Sequence, residues 1–289
     1  MRRSLLLAVL ALCVLLSTLV AAQAPLYTFT TINAPNAIDT EATGINTRGQ
    51  IVGYYSEDTE TQPAHGFPYE NGVFTILRAP GTFNTFALGI NDRSQIVGYY
   101  QDLDGVANGF LYANGVFTTL DVPGAAFTIA QGINNKGQIV GYYGDGNGEH
   151  GFLYDKGRIT TIDAPGALLT FAYGINNNSQ IVGTYIDQAH QIFLYDAGVF
   201  TTIESPNVVE FLDLRALGIN DRSQIVGTYI GQSSARQAFL YDAGVFTALE
   251  VPNAVASQAY AINDRGQIAG FYADSSGTFR GFVATPTKK

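Results

Sequence analysis

The string Gly-Ile-Asn, a few polar residues, then Gln-Ile-Val-Gly-x-Tyr is written six times in this chain, with small variations. Its asparagines are Asn46, Asn91, Asn134, Asn176, Asn220 and Asn263, and they recur every 42 to 45 residues. A fixed period of this size means one supersecondary unit copied and stacked, because a lone copy cannot bury its own apolar faces. The repeat constrains the fold closely and leaves the chemistry open.

One unit runs Phe86-Ala-Leu-Gly-Ile-Asn91, Asp92-Arg-Ser, then Gln95-Ile-Val-Gly-Tyr-Tyr100. A variable loop leads to Gly109-Phe-Leu-Tyr112, a tight turn at Ala113-Asn-Gly115, and Val116-Phe-Thr-Thr-Leu120. β-Branched and aromatic runs bounded by Asn, Asp, Gly and Pro read as four short strands, A to D. Four strands in about 43 residues is the size of a propeller blade. A D-type strand, Tyr27 to Ile32, precedes the first copy, and the chain finishes after a C-type strand, Gly281 to Ala284. The strands balance only if the N-terminal strand completes the last blade, which closes a ring and removes an open edge. The expected fold is an all-β, six-bladed β-propeller of four-stranded blades, forming one domain over residues 23–289. An open β-repeat is the alternative, and it gives no reason for the one-strand offset.

Residues 1–22 read as a signal peptide. Arg2 and Arg3 are followed by an apolar run from Leu5 to Val20 and by small residues, with cleavage expected before Gln23. An uncleaved anchor is the alternative, but the run is short of the roughly 20 residues that a span requires. The expected location is secreted or periplasmic, with no membrane span after cleavage. Cys13, the only cysteine, falls inside the leader. Residues 23–289 therefore have no disulfide, and their stability must come from a core. The formal net charge is −9, and it deepens by two when Arg2 and Arg3 leave. That excess of acid argues against nucleic acid as a partner.

Strand periodicity puts Ile96, Gly98 and Tyr100 on one face and Gln95, Val97 and Tyr99 on the other. The first set recurs in all six copies. The second varies, with Thr184, Thr228 and Phe271 at the Tyr99 position. Both faces are expected to be buried between blades. The strand glycine reads as allowing close approach of a neighbouring blade, or a bulge. The Tyr100-type residues read as inter-blade packing, with a carbohydrate platform as the alternative. The repeated Asn and Gln (Gln50, Gln95, Gln138, Gln180, Gln224 and Gln267) read as satisfying backbone groups at the A–B corner; a polar ring facing a central channel is the other reading.

The pairing of Ile-Asn-x-x-Gly-Gln-Ile-Val-Gly with His-Gly-Phe-Leu-Tyr resembles the HAF-repeat family of extracellular bacterial repeats. The resemblance covers residues 23–289 and implies export and a propeller-like fold. It brings no established activity and no catalytic residues. The family's His step matches His65 and His150, but the position becomes Asn108, Gln191, Gln237 and Arg280 elsewhere. The following Ala is Gly66, Gly109, Gly151 and Gly281 in four copies.

Function is expected where the repeat is unequal, in the B–C loops, because loops on a rigid scaffold carry binding and catalysis. The candidate ligand-binding residues are Glu57, Asp58, His65, Asp102, Asp104, Asp145, Asn147, Glu149 and His150. Acids dominate the first three loops, so the site is expected off-centre, toward those blades. No Gly-x-Ser-x-Gly elbow and no His-Glu-x-x-His motif occurs, and no cysteine lies outside the leader. No catalytic or metal residues are assigned. The expected function is a non-catalytic binding module for a glycan or protein partner, acting as a monomer. The alternative is a hydrolase or lyase using a His/carboxylate pair on the same rim. No cofactor is expected; the alternative is calcium at Asp145, Asn147 and Glu149, whose oxygens alternate around glycines.

Overall fold

The computed structural model describes residues 27–57, 63–204, 214–230 and 235–287. The expected signal peptide and Asp58 lie outside the described residues. Strand β1 (Tyr27–Ile32) opens the described chain. Blade 1 follows as β2 (Asp39–Ile45), β3 (Ile51–Ser56), β4 (Ala64–Glu70) and β5 (Val73–Phe74). Blade 2 is β6 (Asn84–Ile90), β7 (Ile96–Gln101), β8 (Ala107–Ala113) and β9 (Val116–Leu120). Blade 3 is β10 (Phe127–Ile133), β11 (Ile139–Gly144), β12 (Glu149–Asp155) and β13 (Arg158–Ile162). Blade 4 is β14 (Leu169–Ile175), β15 (Ile181–Ile186), β16 (His190–Asp196) and β17 (Val199–Ile203). Blade 5 is β18 (Arg215–Ile219), β19 (Ile225–Ile230), β20 (Arg236–Asp242) and β21 (Val245–Ala248). Blade 6 is β22 (Ala256–Ile262), β23 (Ile268–Ala273) and β24 (Phe279–Pro286), with β1 as its outer strand. The fold is the six-bladed propeller that the repeat predicts, closed by the N-terminal strand.

Closure is built from real burial. β1 runs antiparallel to β24 from Tyr27 opposite Pro286 to Ile32 opposite Gly281. Ile32 is buried with Ala42, Phe67 and Val283, so it joins blade 6 to blade 1. The weakest outer strand is β5, and the cause is local. Pro68 stands where the other blades place Leu111, Leu153, Leu194, Leu240 and Val283, each with an N–H. Thr75 N still donates to Pro68 O at 3.0 Å, but Pro68 has no proton to return. The D strand of blade 1 therefore shrinks to two residues and a single bridge between Gly66 and Leu77.

Each A strand carries a β-bulge at the same place. The register slips between Ala42 and Gly44, Ala87 and Gly89, Ala130 and Gly132, Ala172 and Gly174, Ala216 and Gly218, and Ala259 and Ala261. The glycine of Gln-Ile-Val-Gly sits opposite this bulge. A Cβ on Gly183 would meet Phe171 O at 2.0 Å and the Phe193 ring at 2.7 Å. The bulge half of the expectation is met, and the close approach is inside the blade. The glycine that admits a neighbouring blade is the one in Gly-Ile-Asn: a Cβ on Gly174 would lie 2.9 Å from Leu217 O and 3.1 Å from Gly218 Cα.

The six asparagines form a closed ring. Asn46 Nδ2 donates to Asn91 O, and the pattern passes through Asn134, Asn176 and Asn220 to Asn263, whose Nδ2 donates to Asn46 O at 2.9 Å. Each Oδ1 accepts the N–H groups two and four residues on, as Asn176 does from Asn178 and Gln180. These side chains are buried, at 3–4% exposure, so every one of their polar atoms needs this partner set. The corner reading holds for both residue types, with Gln50 and Gln95 accepting from Asn46 and Asn91. The reading of a polar ring facing the axis holds for the asparagines alone, since the glutamines do not line the axial cavity. The corner's Gly or Ser takes the left-handed conformation, as at Gly49, Ser94 and Ser179.

Candidate functional site

On the rim bearing the B–C and D–A loops, each blade offers the same three positions. They are the B-strand Tyr, the C-strand residue opposite it, and the residue just after the D strand. In blade 3 these are Tyr143, His150 and Asp163. Tyr143 pairs with His150 across the ladder, their ring centres 5.3 Å apart. His150 Nδ1 bonds Asp163 Oδ2 at 2.9 Å, and Nε2 lies 3.5 Å from Asp145 Oδ1. The Asp163 hydrogen bond holds the imidazole above its usual pKa, against partial desolvation. Asp145 also accepts Asn147 N at 2.6 Å, which closes its hairpin and holds its carboxyl below the usual range.

Blade 1 inverts that chemistry. His65 is 7% exposed, leans on Tyr55, and accepts from Arg78 Nη2 at 2.9 Å through Nδ1. Burial and then the Arg78 charge push the imidazole below its usual pKa, so it is neutral. Glu57 is exposed at the end of β3. In blade 2, Asp102 is a turn former: its Oδ1 accepts Asp104 N at 3.0 Å and Val106 N at 2.9 Å, and Oδ2 accepts from Asn108 at 3.3 Å. Asp104 is exposed. Glu149 is half-buried on β12, close enough for its charge to act on Tyr142. His65 and His150 stand on blades 1 and 3, and each is tied to its own loop residue. The candidate residues thus form separate niches and do not converge. Among the described residues, no three His, Cys, Asp or Glu gather as a metal set.

The Tyr row does two jobs. Tyr100, Tyr143, Tyr185, Tyr229 and Tyr272 pack their rings against the cores and stay partly exposed. The hydroxyls of Tyr100, Tyr143 and Tyr185 bond D-strand threonines at 2.9–3.0 Å. Arg78 and Asp163 were not among the candidates. Their signal is a single position after the D strand that varies (Asn33, Arg78, Asp121, Asp163, Glu204, Glu250) beside residues that hardly change.

A second group lies on the axis. The bulge turns one extra side chain per blade inward, and these are Thr43, Leu88, Gln131, Tyr173, Leu217 and Tyr260. They line an axial cup of about 110 Å3. Six isoleucines, Ile45 to Ile262, floor it and separate it from a cup of about 70 Å3 on the asparagine side. Above the bulges, on the B–C-loop side, the A strands present Glu41, Phe86, Ile129, Phe171, Arg215 and Gln258. Tyr54 OH donates to Glu41 Oε2 at 2.6 Å. Aromatic rings run around this mouth: Tyr54 on Phe86 at 4.9 Å, Phe86 on Tyr99 at 4.5 Å, Tyr142 on Phe171 at 5.0 Å, Tyr260 on Phe271 at 5.7 Å.

The groups are within electrostatic reach of one another. Burial raises the Tyr260 hydroxyl; the Glu41 carboxylate adds to the shift, Arg215 opposes it, and Tyr173 adds. Burial likewise raises Tyr54, Tyr99 and Tyr142. Burial, helped by the Asp39 charge and opposed by the Tyr54 hydrogen bond, lifts Glu41 to about 7. A carboxyl that keeps its proton in the fold up to about 7, and loses it near 4.5 when unfolded, contributes stability below the unfolded value and loses it as pH rises through about 7. Glu41 is therefore expected to lower the melting temperature as pH rises across that window, against His65, whose lowered pKa acts in the opposite direction. His150 acts in the same direction as Glu41, since its raised pKa favours the fold below its ordinary value and the benefit is lost above the raised one. Glu41→Gln should flatten the slope that remains in a His150→Ala background. An unchanged slope in the double variant would refute the assignment to Glu41.

No protein-family model matches the chain, and no curated protein sequence does. Solved structures match in fold. AofleA from Arthrobotrys oligospora is similar over 89% of this chain and 86% of its own, at 12% identity and a TM-score of 0.58. The fucose-specific lectin from Aleuria aurantia is similar over 90% of this chain and 99% of its own, at 13% identity and a TM-score of 0.53. TolB from Acinetobacter baumannii is similar over 82% of this chain and 64% of its own, at 12% identity and a TM-score of 0.52. At such identities the likeness establishes the propeller architecture itself, shared by lectins and by a protein of another name.

Proposed function

We propose that this chain is an exported, non-catalytic glycan-binding module of the HAF-repeat type, acting as a monomer through the rim of B–C and D–A loops. The observation that carries the reading is the blade 3 niche. There a half-exposed Tyr143 lies beside His150, which is fixed between Asp145 and Asp163. An aromatic face next to oriented donors and acceptors suits a sugar, whose C–H face stacks while its hydroxyls bond. Nearly full-length fold likeness to a fucose-specific lectin supports the same reading. A glycan array probed with the purified chain tests it. Binding is expected, and Asp163→Ala should weaken the best hit about tenfold, as loss of one oriented contact does. Absence of binding across the array would overturn the proposal.

A further inference from the structure

The two faces of the ring differ in charge. On the A–B and C–D face, Arg48, Arg93, Lys136, Arg222 and Arg265 are exposed and offset the acids of the turns. The rim of B–C and D–A loops lacks that balance. Glu57, Asp104, Asp121, Asp163, Glu204 and Glu250 are exposed on it. Asp145, Asp187 and Asp274 add to them, because hydrogen-bond donors in their own hairpins hold these carboxyls below the usual range and keep them ionised. Among the described residues the cations of these loops are Arg78, Arg215, Arg236 and Arg280, and Arg280 is paired with Asp274 at 3.3 Å. Acidity that served solubility alone would need no such segregation.

The same rim is apolar at one fixed position. The residue before the A strand is Ile38, Phe83, Ala126, Leu168 or Val255, and its N–H bonds the last carbonyl of the B strand, as Leu168 N bonds Ile186 O at 2.7 Å. So held, the side chains stand in solvent, with Phe83 51%, Leu168 70% and Val255 56% exposed. Single exposed apolar residues mean little, but a repeated register makes a surface. Leu168 also adjoins the blade 3 niche: a Cβ on Gly148, in the Asp145 hairpin, would lie 3.4 Å from Leu168 O. The loops entering blades 3, 4 and 6 thus each open on a carboxylate and end on an apolar residue, Asp121 to Ala126, Asp163 to Leu168 and Glu250 to Val255.

Charge complementarity selects the occupant. An anionic glycan, an anionic membrane or the identical rim of a second copy would meet like charge. A purely apolar partner would strip water from the carboxylates and give nothing back. A sugar with a free amino group has both required parts, an ammonium for the acid and a C–H ring face for the apolar residue. The half-exposed rings of Tyr100, Tyr143, Tyr185 and Tyr229 favour the same charge.

We propose that the rim binds a cationic glycan, one whose sugars carry free amino groups, with ammonium groups against the carboxylates that open the D–A loops and ring faces against the apolar residues that end them. The proposal rests on the glycan reading above and on its rim site; it adds the charge of the ligand and contacts beyond blade 3.

The test titrates the purified chain with a glucosamine oligomer, its fully N-acetylated form, and a glucose oligomer of the same length and linkage, with oligolysine as a polycation of another class. It runs at about pH 5.5, where amines are protonated and exposed carboxylates ionised. The glucosamine oligomer is expected to bind about tenfold or more tighter than the other three, with an advantage that shrinks as salt is added. Glu250→Gln and Leu168→Asn change exposed side chains and leave the backbone bonds in place. Each is expected to weaken that binding severalfold, the second without any change of charge. Equal or tighter binding of the N-acetylated or glucose oligomer overturns the cationic class and leaves the glycan reading standing. Equal binding of oligolysine overturns it in favour of a basic polypeptide. Full binding in both variants overturns the loop contacts. No binding of any oligomer overturns the inference, and the wider array then judges the glycan reading separately.

Discussion

A variant lacking Tyr27–Ile32 is expected to lose about 5 kcal/mol or more and to associate at micromolar concentration. Among the described residues, β1 is the only outer strand supplied from the far end of the chain. Its removal strips a six-residue ladder from β24, takes Ile32 out of the seam between blades 6 and 1, and uncovers the contact of Phe29 with Phe282 at 5.7 Å. Burial of Ile32 with part of Tyr27 and Phe29 accounts for roughly 4 kcal/mol, and the ladder's hydrogen bonds add to it. The freed edge of β24 then offers unpaired N–H and C=O groups to another molecule. The asparagine ring and the contacts of β2 with β24 remain, so the expected outcome is a weakened, sticky propeller and not a random chain. Thermal melting and light scattering check it. An unchanged melting temperature in a monodisperse sample would show that closure does not depend on this strand.

Gly183→Ala is expected to be the most damaging single methyl in blade 4, at about 3 kcal/mol. The new Cβ would stand 2.0 Å from Phe171 O, which belongs to backbone held at the bulge and cannot step aside. Phe193, fully buried, closes the other side at 2.7 Å. For a domain of this size the melting temperature should drop by about 5–10 °C. Gly198→Ala provides the contrast. Gly198 has φ 91°, but nothing lies within 4 Å of its added Cβ, so only backbone strain of about 1 kcal/mol is involved. Equal destabilisation by the two substitutions would remove the steric argument.

Much of this architecture was legible beforehand, for a reason visible in particular residues. Blade number, strand order and the completion of blade 6 by Tyr27–Ile32 follow from counting copies and noticing the offset at the ends. The turn residues declared themselves too, since Ser94 and Gly137 sit where a left-handed backbone is needed. The strand glycine was half-read, because a single strand shows that space is short but not whose atoms fill it. The candidate site was read less well. Asp102 and Asp145 looked like free loop acids, and the structure has both capping backbone N–H groups in their own hairpins. Isolated acids in short loops are easily mistaken for ligands, because turn chemistry and binding chemistry use the same side chains.

The mouth of the axis shows where the division lies. By itself the sequence determined the ring: six similar units must bury their faces against one another, and the offset strand closes them. It also carried a faint mark of the cup, since Thr43, Leu88, Gln131, Tyr173, Leu217 and Tyr260 vary directly after an Ala that is the same in all six copies. Only the tertiary structure decided that these positions matter together. A bulge re-aims one side chain per blade toward the axis, and closure brings Glu41 of the first blade beside Tyr260 of the last. Local periodicity fixes which way a side chain leaves its own strand; which groups it meets across the ring is set by long-range closure, and that has no local signature.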